Sequence, residues 1–251
     1  TLSKDYPNLD FRRVRLLLLH SGERLLPEMP ARLSNYTARQ LRQLGVEVQL
    51  NSRVTGVTEN AVHLEDSRVI PCHTVIWTTG VEGDNKLNKW GLLTNRNNQV
   101  KVFSTLQVPE HPQVYAVGDL AALHDKQLPM VAPVAIQQGM TAANNILRQI
   151  KGKNPQPLHY QHQGSMVIIG RHAAVAHIGK VKLTGFPAWL LWLVIHFACL
   201  PGNLNRLQVL ICWGWIYFLR EHPMRLIFRQ DYLTKYHDVP LSNLDRVQGK
   251  D

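Results

Sequence analysis

The stretch that decides the fold is His111-Pro112-Gln113-Val114-Tyr115-Ala116-Val117-Gly118-Asp119. Its apolar part, residues 114–117, predicts a buried β-strand that ends at a Gly-Asp pair. Glycine lets a ligand approach the backbone, and an aspartate carboxylate accepts hydrogen bonds from ligand hydroxyl groups. Because ligands of open α/β sheets bind at the carboxyl ends of strands, Gly118 and Asp119 are candidate binding residues. A Gly-Asp pair is also common in ordinary β-turns, which is the alternative at this point.

The segment that follows predicts a long helix. Ala132-Pro133-Val134-Ala135-Ile136-Gln137-Gln138-Gly139 opens a pattern that continues to about Ile150. Pro133 suits the first helical position, where its missing N–H is not needed. The positive end of this helix would face a ligand anion. For Gln137 and Gln138, the alternative to a functional role is a solvated helix face.

The region before this stretch predicts an α/β fold. Leu33, Tyr36, Leu41 and Leu44 follow helical spacing, and Gly45 occupies the position after a helix end. No G-x-G-x-x-G turn occurs in the chain, although dinucleotide folds normally open with one. We therefore expect the first strand–helix unit of such a fold to lie before Thr1; a different α/β domain that needs no such turn is the alternative. Strands are predicted at residues 14–19, 46–50, 53–58, 61–64, 73–79, 164–171 and 173–178.

Two apolar runs near the carboxyl end predict a helical hairpin. Residues 186–200 are interrupted only by His196, residues 207–219 form the second run, and residues 201–206 join them. At about 1.5 Å per residue, helices of these lengths are shorter than the roughly 30 Å core of a bilayer. Apolar helices with interfacial tryptophans and basic neighbours are typical of attachment to one leaflet, whereas a buried core and a dimer interface are the alternatives. The candidate membrane residues are Trp189, Trp192, Trp213, Trp215 and Arg206.

The net charge of +10 is concentrated in one region. Residues 148–229 contain ten Lys/Arg and a single acid, Glu221. Basic residues that flank apolar runs favour an anionic lipid surface, and we expect no nucleic acid partner. Three cysteines without metal-ligand spacing predict neither a redox disulfide nor a metal site. The protein is expected to face a reducing compartment such as the cytoplasm.

Several motifs together resemble one family. The pattern T-x8-VYAVGD from Thr105 resembles the second flavin-binding motif of the pyridine nucleotide–disulfide reductase superfamily, and Trp77-Thr78-Thr79-Gly80-Val81 resembles its "ATG" turn. The order and spacing of the two motifs match. Residues 132–137 are similar to the A-Q-x-A-x-Q motif of type II NADH:quinone oxidoreductases, with Pro133 in place of the first Gln. Residues 160–171 resemble the family segment Y-x-x-x-G-x-M-A-x-I-G-R, with Val167 where Ala is usual.

The resemblance implies FAD as cofactor and NADH, or NADPH, as substrate. Electrons would pass from NAD(P)H through the flavin to a membrane quinone, without proton pumping. The implied residues are Gly80, Gly118, Asp119, Ala132 and Ala135 for cofactor binding, His20 and Ser21 for the NAD(P)H ribose region, Gln137 for catalysis, and Gln137 and Gln138 for the quinone site. The acid expected after the second strand is replaced by His20-Ser21, which could tolerate the additional phosphate of NADPH.

We therefore predict an α/β flavoprotein with two Rossmann-like dinucleotide-binding domains, incomplete at its amino terminus and ending in an apolar helical hairpin. Residues 1–98 would be the remainder of the NAD(P)H-binding domain, 99–182 the closing segment of the FAD-binding domain, and 183–251 the membrane-attachment helices and tail. The whole is expected to be a peripheral or monotopic membrane protein. A non-catalytic membrane-associated fragment or subunit, which alone holds FAD weakly or not at all, is a second hypothesis. A soluble NAD(P)H flavoprotein reductase that dimerises through the hairpin is a third.

Overall fold

The computed structural model describes residues 8, 10, 14–84 and 86–219. Their contacts group into two compact units, one made of residues up to His73 with those from Gly164 onward, the other of Thr74–Gln163. The strands are β1 (Leu16–Leu19), β2 (Val46–Gln49), β3 (Val54–Val57), β4 (Ala61–Leu64), β5 (Val69–Pro71), β6 (Val100–Val102), β7 (Gln107–Val108), β8 (His111–Tyr115), β9 (Ala121–Leu123), β10 (Ser165–Gly170), β11 (Ala173–Ile178) and β12 (Val181–Gly185). The helices are α1 (Ala31–Gln43), α2 (Lys86–Lys89), α3 (Ala132–Ile150), α4 (Phe186–Cys199) and α5 (Asn203–Leu219).

The first unit begins with a β–α–β crossover. Strands β1 and β2 pair in parallel, with Leu16 opposite Val46, and α1 connects them. The helix buries Leu33 and places it with Met29 and with Val175 of β11 in one core cluster. After its last turn, Gly45 has a φ of +86°, as its predicted position after a helix requires.

Two antiparallel meanders complete the sheet structure of this unit. Strands β3, β4 and β5 form one, and β10, β11 and β12 form the other. Helix α4 packs on the second meander through Ala188, which forms a buried cluster with Ala174 and Ala176. Small alanine side chains allow the helix to lie close to the strands. The strands β5 and β12 were not predicted from the sequence, whereas the 53–58/61–64 hairpin and the strand pair at 164–178 were.

The second unit contains two small sheets and the long helix α3. Strands β6 and β9 pair in parallel, with Val100 opposite Ala121, and β7 pairs with β8 in antiparallel orientation. Their core is a cluster of apolar side chains to which α3 contributes Ala142. The buried members of this cluster are Leu87, Val100, Val102, Leu106, Val108, Ala116, Ala121 and Ala142.

The strand predicted at residues 73–79 is wrong. Residues 74–79 have no regular secondary structure and no strand partner among the described residues. Ile76 is 79% exposed, and Trp77 is exposed as well. An apolar, β-branched run indicates a strand only where a neighbouring strand can take up its backbone hydrogen bonds, and such a partner is not visible in local sequence.

Three predicted boundaries also move. The strand expected at 114–117 is β8, His111–Tyr115, because that segment pairs with β7. Pro133 is the second rather than the first residue of α3, which begins at Ala132. Helix α5 starts at Asn203 and not at residue 207, since the backbone N–H of Arg206 already donates to the carbonyl oxygen of Gly202. The Arg206 guanidinium donates to the carbonyl oxygens of Ala198 and Leu200. Residues 220–251 of the predicted membrane-attachment helices and tail lie outside the described residues.

Candidate functional site

The Gly-Asp pair forms a tight turn just beyond β8. Val117 is extended, with a φ of −142°, and Gly118 then has a φ of +71°, in the left-handed region that favours glycine. The chain continues as a 3₁₀ turn, Gly118–Leu120, before β9 begins at Ala121. The extended conformation therefore ends at Gly118, at the carboxyl end of this segment.

Two buried glutamines hold this turn from opposite ends. The backbone N–H of Gly118 donates a hydrogen bond to Oε1 of Gln138, on the second turn of α3. Nε2 of Gln99 donates to the carbonyl oxygen of Asp119 at 2.8 Å. Gln138 is 1% exposed and Gln99 is 8% exposed, so both side chains are buried and their contacts with the turn are partly buried.

The carboxylate of Asp119 faces solvent beside this fixed turn. It is exposed and makes no hydrogen bond or ion pair with the described part of the chain. The amino-terminal turn of α3 packs against the same turn, and a Cβ built on Gly118 would lie 3.6 Å from Cβ of Ala135. Ala132 is exposed and Ala135 is half-buried. The site therefore combines a free carboxylate, small side chains and a helix amino terminus, a set that suits a hydroxyl-bearing anionic ligand.

Helix α3 uses further amide side chains to hold neighbouring backbone. Gln137 exchanges two hydrogen bonds of 2.9 Å with the backbone N–H and carbonyl oxygen of Gln161. Asn145, which is 1% exposed, donates to the carbonyl oxygens of Thr105 and Gln156 and accepts from the N–H of Gln156. These contacts tie the irregular segment after α3 to the helix.

Gln149 of the same helix accepts a hydrogen bond from the Tyr115 hydroxyl at 2.9 Å. Burial of that phenol raises the pKa of Tyr115 above its usual value, because the charged phenolate is desolvated more than the neutral form.

The residues predicted for the NAD(P)H ribose region lie at the end of β1. The backbone of His20 donates to the carbonyl oxygen of Gln49 and accepts from Ser52, each at 2.9 Å. His20 is half-buried and Ser21 is exposed. The Arg24 guanidinium nearby donates to the carbonyl oxygen of Pro27. In the other unit, Gly80 is exposed in an irregular segment with a φ of +79°.

The residues predicted for membrane attachment lie on α4 and α5. Trp189 packs in an aromatic cluster with His172, Phe186 and Tyr217, and Trp192 stacks on His196 with 3.8 Å between ring centroids. Trp213 is half-buried and Trp215 is exposed. Arg206 is hydrogen-bonded to the end of α4, as described above.

The structure brings Gly118, Asp119, Ala135 and Gln138 together within one unit. Sequence reasoning missed Gln99, which is 20 residues from Asp119 and carries no local signal. It also treated Gln138 as a surface residue or quinone contact. Gln138 lies on the buried face of α3 with Val134 and Ala142, and this helical spacing could have indicated its burial.

The chain is similar to several known proteins. The chain is 36% identical to the type II NADH:quinone oxidoreductase Ndh of Mycobacterium tuberculosis over 224 residues, which is 85% of this chain and 48% of that protein. It is also 36% identical to NdhA of the same organism, over 92% of this chain and 51% of that protein. A third relative, the type II NADH:quinone oxidoreductase of Haemophilus influenzae, is 30% identical over 72% of this chain and 43% of that protein. The chain thus spans about half the length of the curated relatives it matches.

Solved structures show the same fold. The structure of NDH2 from Plasmodium falciparum in complex with NADH matches with a TM-score of 0.76 at 18% identity, over 86% of this chain and 60% of that one. The predicted α/β class is confirmed by this match. The resemblance to type II NADH:quinone oxidoreductases is confirmed by the relatives. The profile of the family described as "Pyridine nucleotide-disulphide oxidoreductase" matches residues 10–139. More than half of the sequence lies within that match, and the chain therefore belongs to the pyridine nucleotide-disulphide oxidoreductase family.

Proposed function

We propose that this chain forms part of an FAD-dependent enzyme that oxidises NAD(P)H and reduces a membrane quinone without pumping protons. The observation that carries the proposal is the Gly118–Asp119 turn, with its free carboxylate, against the amino terminus of α3. The relatives named as type II NADH:quinone oxidoreductases support it. In this proposal, residues 1–98 serve NAD(P)H, residues 99–182 serve FAD, and residues 183–251 attach the protein to the membrane.

The residues at the turn fit a flavin. Asp119 can accept hydrogen bonds from the hydroxyl groups of the ribityl chain, and Gly118 leaves room for close backbone approach. Ala132 and Ala135 offer no side chain beyond Cβ to obstruct a flat ring at the start of α3. FAD, when bound, supplies the redox chemistry between NAD(P)H and quinone. The chain's own residues bind and orient it.

An Asp119→Asn variant tests the flavin contact. The substitution keeps the size of the side chain but removes the charge and replaces an acceptor oxygen with a donor. We expect the dissociation constant for FAD, measured by quenching of flavin fluorescence with the full chain, to rise about tenfold, which corresponds to one strong hydrogen bond. Asp125→Asn is the matched control, because Asp125 is an exposed aspartate of the same unit. Equal affinities of the parent and the Asp119→Asn variant would contradict the assignment.

The proposed nicotinamide contacts are His20, Ser21 and Gly80. Since His20 and Ser21, rather than an acid, stand directly after β1, NADPH is expected to be accepted beside NADH. His20→Glu should restore a preference for NADH, because the carboxylate binds the ribose hydroxyls and repels a phosphate. The ratio of NADH to NADPH oxidation measures this, with the exposed His73→Glu as control. A strong NADH preference in the parent would remove the NADPH part of the proposal.

Gln137 is the residue proposed for the quinone site and for a catalytic role, whereas Gln138, also expected there from the sequence, is buried with its Oε1 on the Gly118 N–H. Each atom of the Gln137 amide group already makes one hydrogen bond to Gln161. A primary amide has a second N–H and a second lone pair, so Gln137 can bind a quinone carbonyl without releasing Gln161. A Gln137→Leu variant should raise the KM for quinone while the rate of flavin reduction by NADH stays unchanged.

The proposed membrane contact is the apolar surface of α4 and α5, facing a reducing compartment such as the cytoplasm. None of the helices in the described part of the chain is long and apolar enough to cross a bilayer. Large apolar side chains are nevertheless exposed on both helices, and Phe218 is 80% exposed. The exposed members are Phe186, Leu190, Val194, Leu204, Leu207, Leu210, Ile211, Trp215, Tyr217 and Phe218. Such surfaces, with basic residues nearby, are typical of binding to one leaflet.

Flotation with liposomes separates attachment from dimerisation. We expect the full chain to float with vesicles that contain anionic lipid, and Phe218→Glu to float less. Ile76→Glu, an equally exposed apolar position outside these helices, should float like the parent. A chain that stays at the bottom of the gradient and migrates as a homodimer in size-exclusion chromatography would favour the soluble reductase instead.

Open sheet edges support the proposal that these domains are completed by polypeptide outside residues 1–251. Both parallel sheets, β1–β2 and β6–β9, contain only two strands in the described part of the chain. Parallel sheets are normally larger and covered on both faces. The completing segment would carry the glycine-rich turns that hold pyrophosphate. Residues 1–251 alone should then bind FAD weakly, and stoichiometric FAD absorbance in the purified chain would refute this.

A further inference from the structure

We propose that Gln99 and Gln138 are positioning residues, which hold the Gly118–Asp119 turn in the shape that binds the polyol chain of a flavin. This inference rests on the proposed function, since it names the groups that prepare its flavin site. Neither glutamine touches the ligand in this proposal. They act through the turn, one at each end of it.

The orientation of Gln138 follows from the chemistry of its partner. A backbone N–H can only donate, so the atom of Gln138 that meets Gly118 is the acceptor Oε1. Gln138 is almost fully buried, and water cannot take its place. Loss of this oxygen would leave the half-buried Gly118 N–H without its protein partner. An unsatisfied buried donor is costly, and the turn would open to solvent instead.

The orientation of Gln99 follows through one more step. Oδ1 of Asn95 accepts from the backbone N–H groups of Asn97 and Gln99, each at 3.0 Å. Nδ2 of Asn95 therefore faces Gln99 and donates to its Oε1 at 2.9 Å. The remaining group of Gln99, Nε2, donates to the carbonyl oxygen of Asp119. Gln99 must be a donor at the turn, whereas Gln138 must be an acceptor.

These two contacts fix the backbone on both sides of the Asp119 Cα atom. The carboxylate then projects into solvent from a turn that has little freedom left. A binding group that is held before the ligand arrives loses less conformational entropy on binding. The side chain of Gln138 is thus assigned to the flavin turn, which differs from the quinone contact suggested by its neighbour Gln137.

The same substitution distinguishes the two roles. Gln138→Glu keeps an acceptor oxygen for the Gly118 N–H, whereas Gln99→Glu puts an acceptor against the Asp119 carbonyl oxygen, where a donor is needed. Gln138→Met and Gln99→Met remove both hydrogen-bonding atoms at similar side-chain volume. We expect Gln138→Glu to keep the hydrogen bond from the Gly118 N–H, and the other three variants to lose their contact with the turn.

The first readout needs no cofactor. Hydrogen exchange of the Gly118 amide in the full chain should accelerate about tenfold in Gln138→Met and remain slow in Gln138→Glu. The second readout is the dissociation constant for FAD, which should rise about tenfold in Gln138→Met, Gln99→Met and Gln99→Glu. Asn145→Leu is the matched control. Asn145 is equally buried on the same helix and also binds backbone, but it does not contact this turn.

Each outcome decides the proposal. Unchanged Gly118 exchange in Gln138→Met overturns it. Equal loss of flavin affinity in Asn145→Leu also overturns it, since the effect would then be one of general packing. If the parent chain binds no FAD, the flavin part of the inference is refuted for residues 1–251, whereas the proposed function, in which a further segment completes the flavin site, is tested by the same variants in a protein that contains that segment. The exchange result then decides alone whether the glutamines hold the turn.

Discussion

Replacing Gly118 with alanine should destabilise the unit formed by Thr74–Gln163 through backbone strain alone. Space is not the obstacle, because the added Cβ would make an ordinary contact of 3.6 Å with Ala135. The φ of +71° is the obstacle, since a left-handed backbone costs an L-residue about 1–2 kcal/mol. The matched substitution is Gly139→Ala, in the middle of α3, where a Cβ would meet nothing within 4 Å. There alanine should stabilise the helix by about 0.5–1 kcal/mol.

The two variants should therefore differ by about 2 kcal/mol in opposite directions from the parent. With a urea m-value of about 1–3 kcal/mol/M, their unfolding midpoints should lie about 1 M apart. The assay is urea unfolding of the full chain, monitored by pulsed hydrogen exchange. Peptides from residues 74–163 report on the unfolding of this unit separately. A Gly118→Ala protein as stable as Gly139→Ala would refute the argument from backbone conformation.

Three further predictions concern contacts elsewhere in the chain. Asn145→Leu leaves three backbone groups unpaired and should lower the free energy of unfolding by about 2–4 kcal/mol in urea titrations. A decrease in this free energy no larger than a substitution of an exposed residue causes would contradict the role of Asn145 in pairing these groups. Arg171 donates to the carbonyl oxygen of Tyr217 and lies 4.9 Å above its ring, so Arg171→Ala should speed hydrogen exchange at the end of α5 while β10–β12 stay protected. The Arg15 guanidinium lowers the pKa of Glu47 by hydrogen bonding, so the stability from this pair is present at neutral pH and is lost as the pH falls through the folded-state pKa. In Glu47→Gln, the urea midpoint should lose the small decrease that this pair causes as the pH falls. If the urea midpoint depends on pH in the same way in the variant and the parent, the pair does not contribute to stability.

Local signals in the sequence were sufficient where structure is decided by neighbouring residues. The stripe of Leu33, Tyr36 and Leu41 with Gly45 located α1, and the short turn at residues 59–60 located the β3–β4 hairpin. The Gly-Asp pair located the candidate site because its residue types carry the same chemistry in any strand-end turn.

The remaining features depend on residues that are distant in sequence. Residues 74–79 have a strand-like composition but no partner strand within the described chain. Gln99 and Asp119 are brought together by the pairing of β6 with β9, so the sequence near either residue does not indicate the contact. Gln138 was predicted to be a quinone contact, with a solvated helix face as the alternative, and Asn145 was not singled out. Both are buried because backbone groups satisfy their amides.

Three amide side chains of α3, those of Gln137, Gln138 and Asn145, bind their partners only through main-chain atoms. Gln137 binds the backbone of Gln161, and Asn145 binds the backbone of Gln156. The identity of the partner side chains is irrelevant to these bonds, provided that each residue keeps its N–H. The irregular segment 154–163 can therefore change most of its amino acids without losing its course along the helix, and proline at 156 or 161 is the substitution it cannot accept. During evolution, α3 would keep these amide side chains while the amino-acid sequence of residues 154–163 changes.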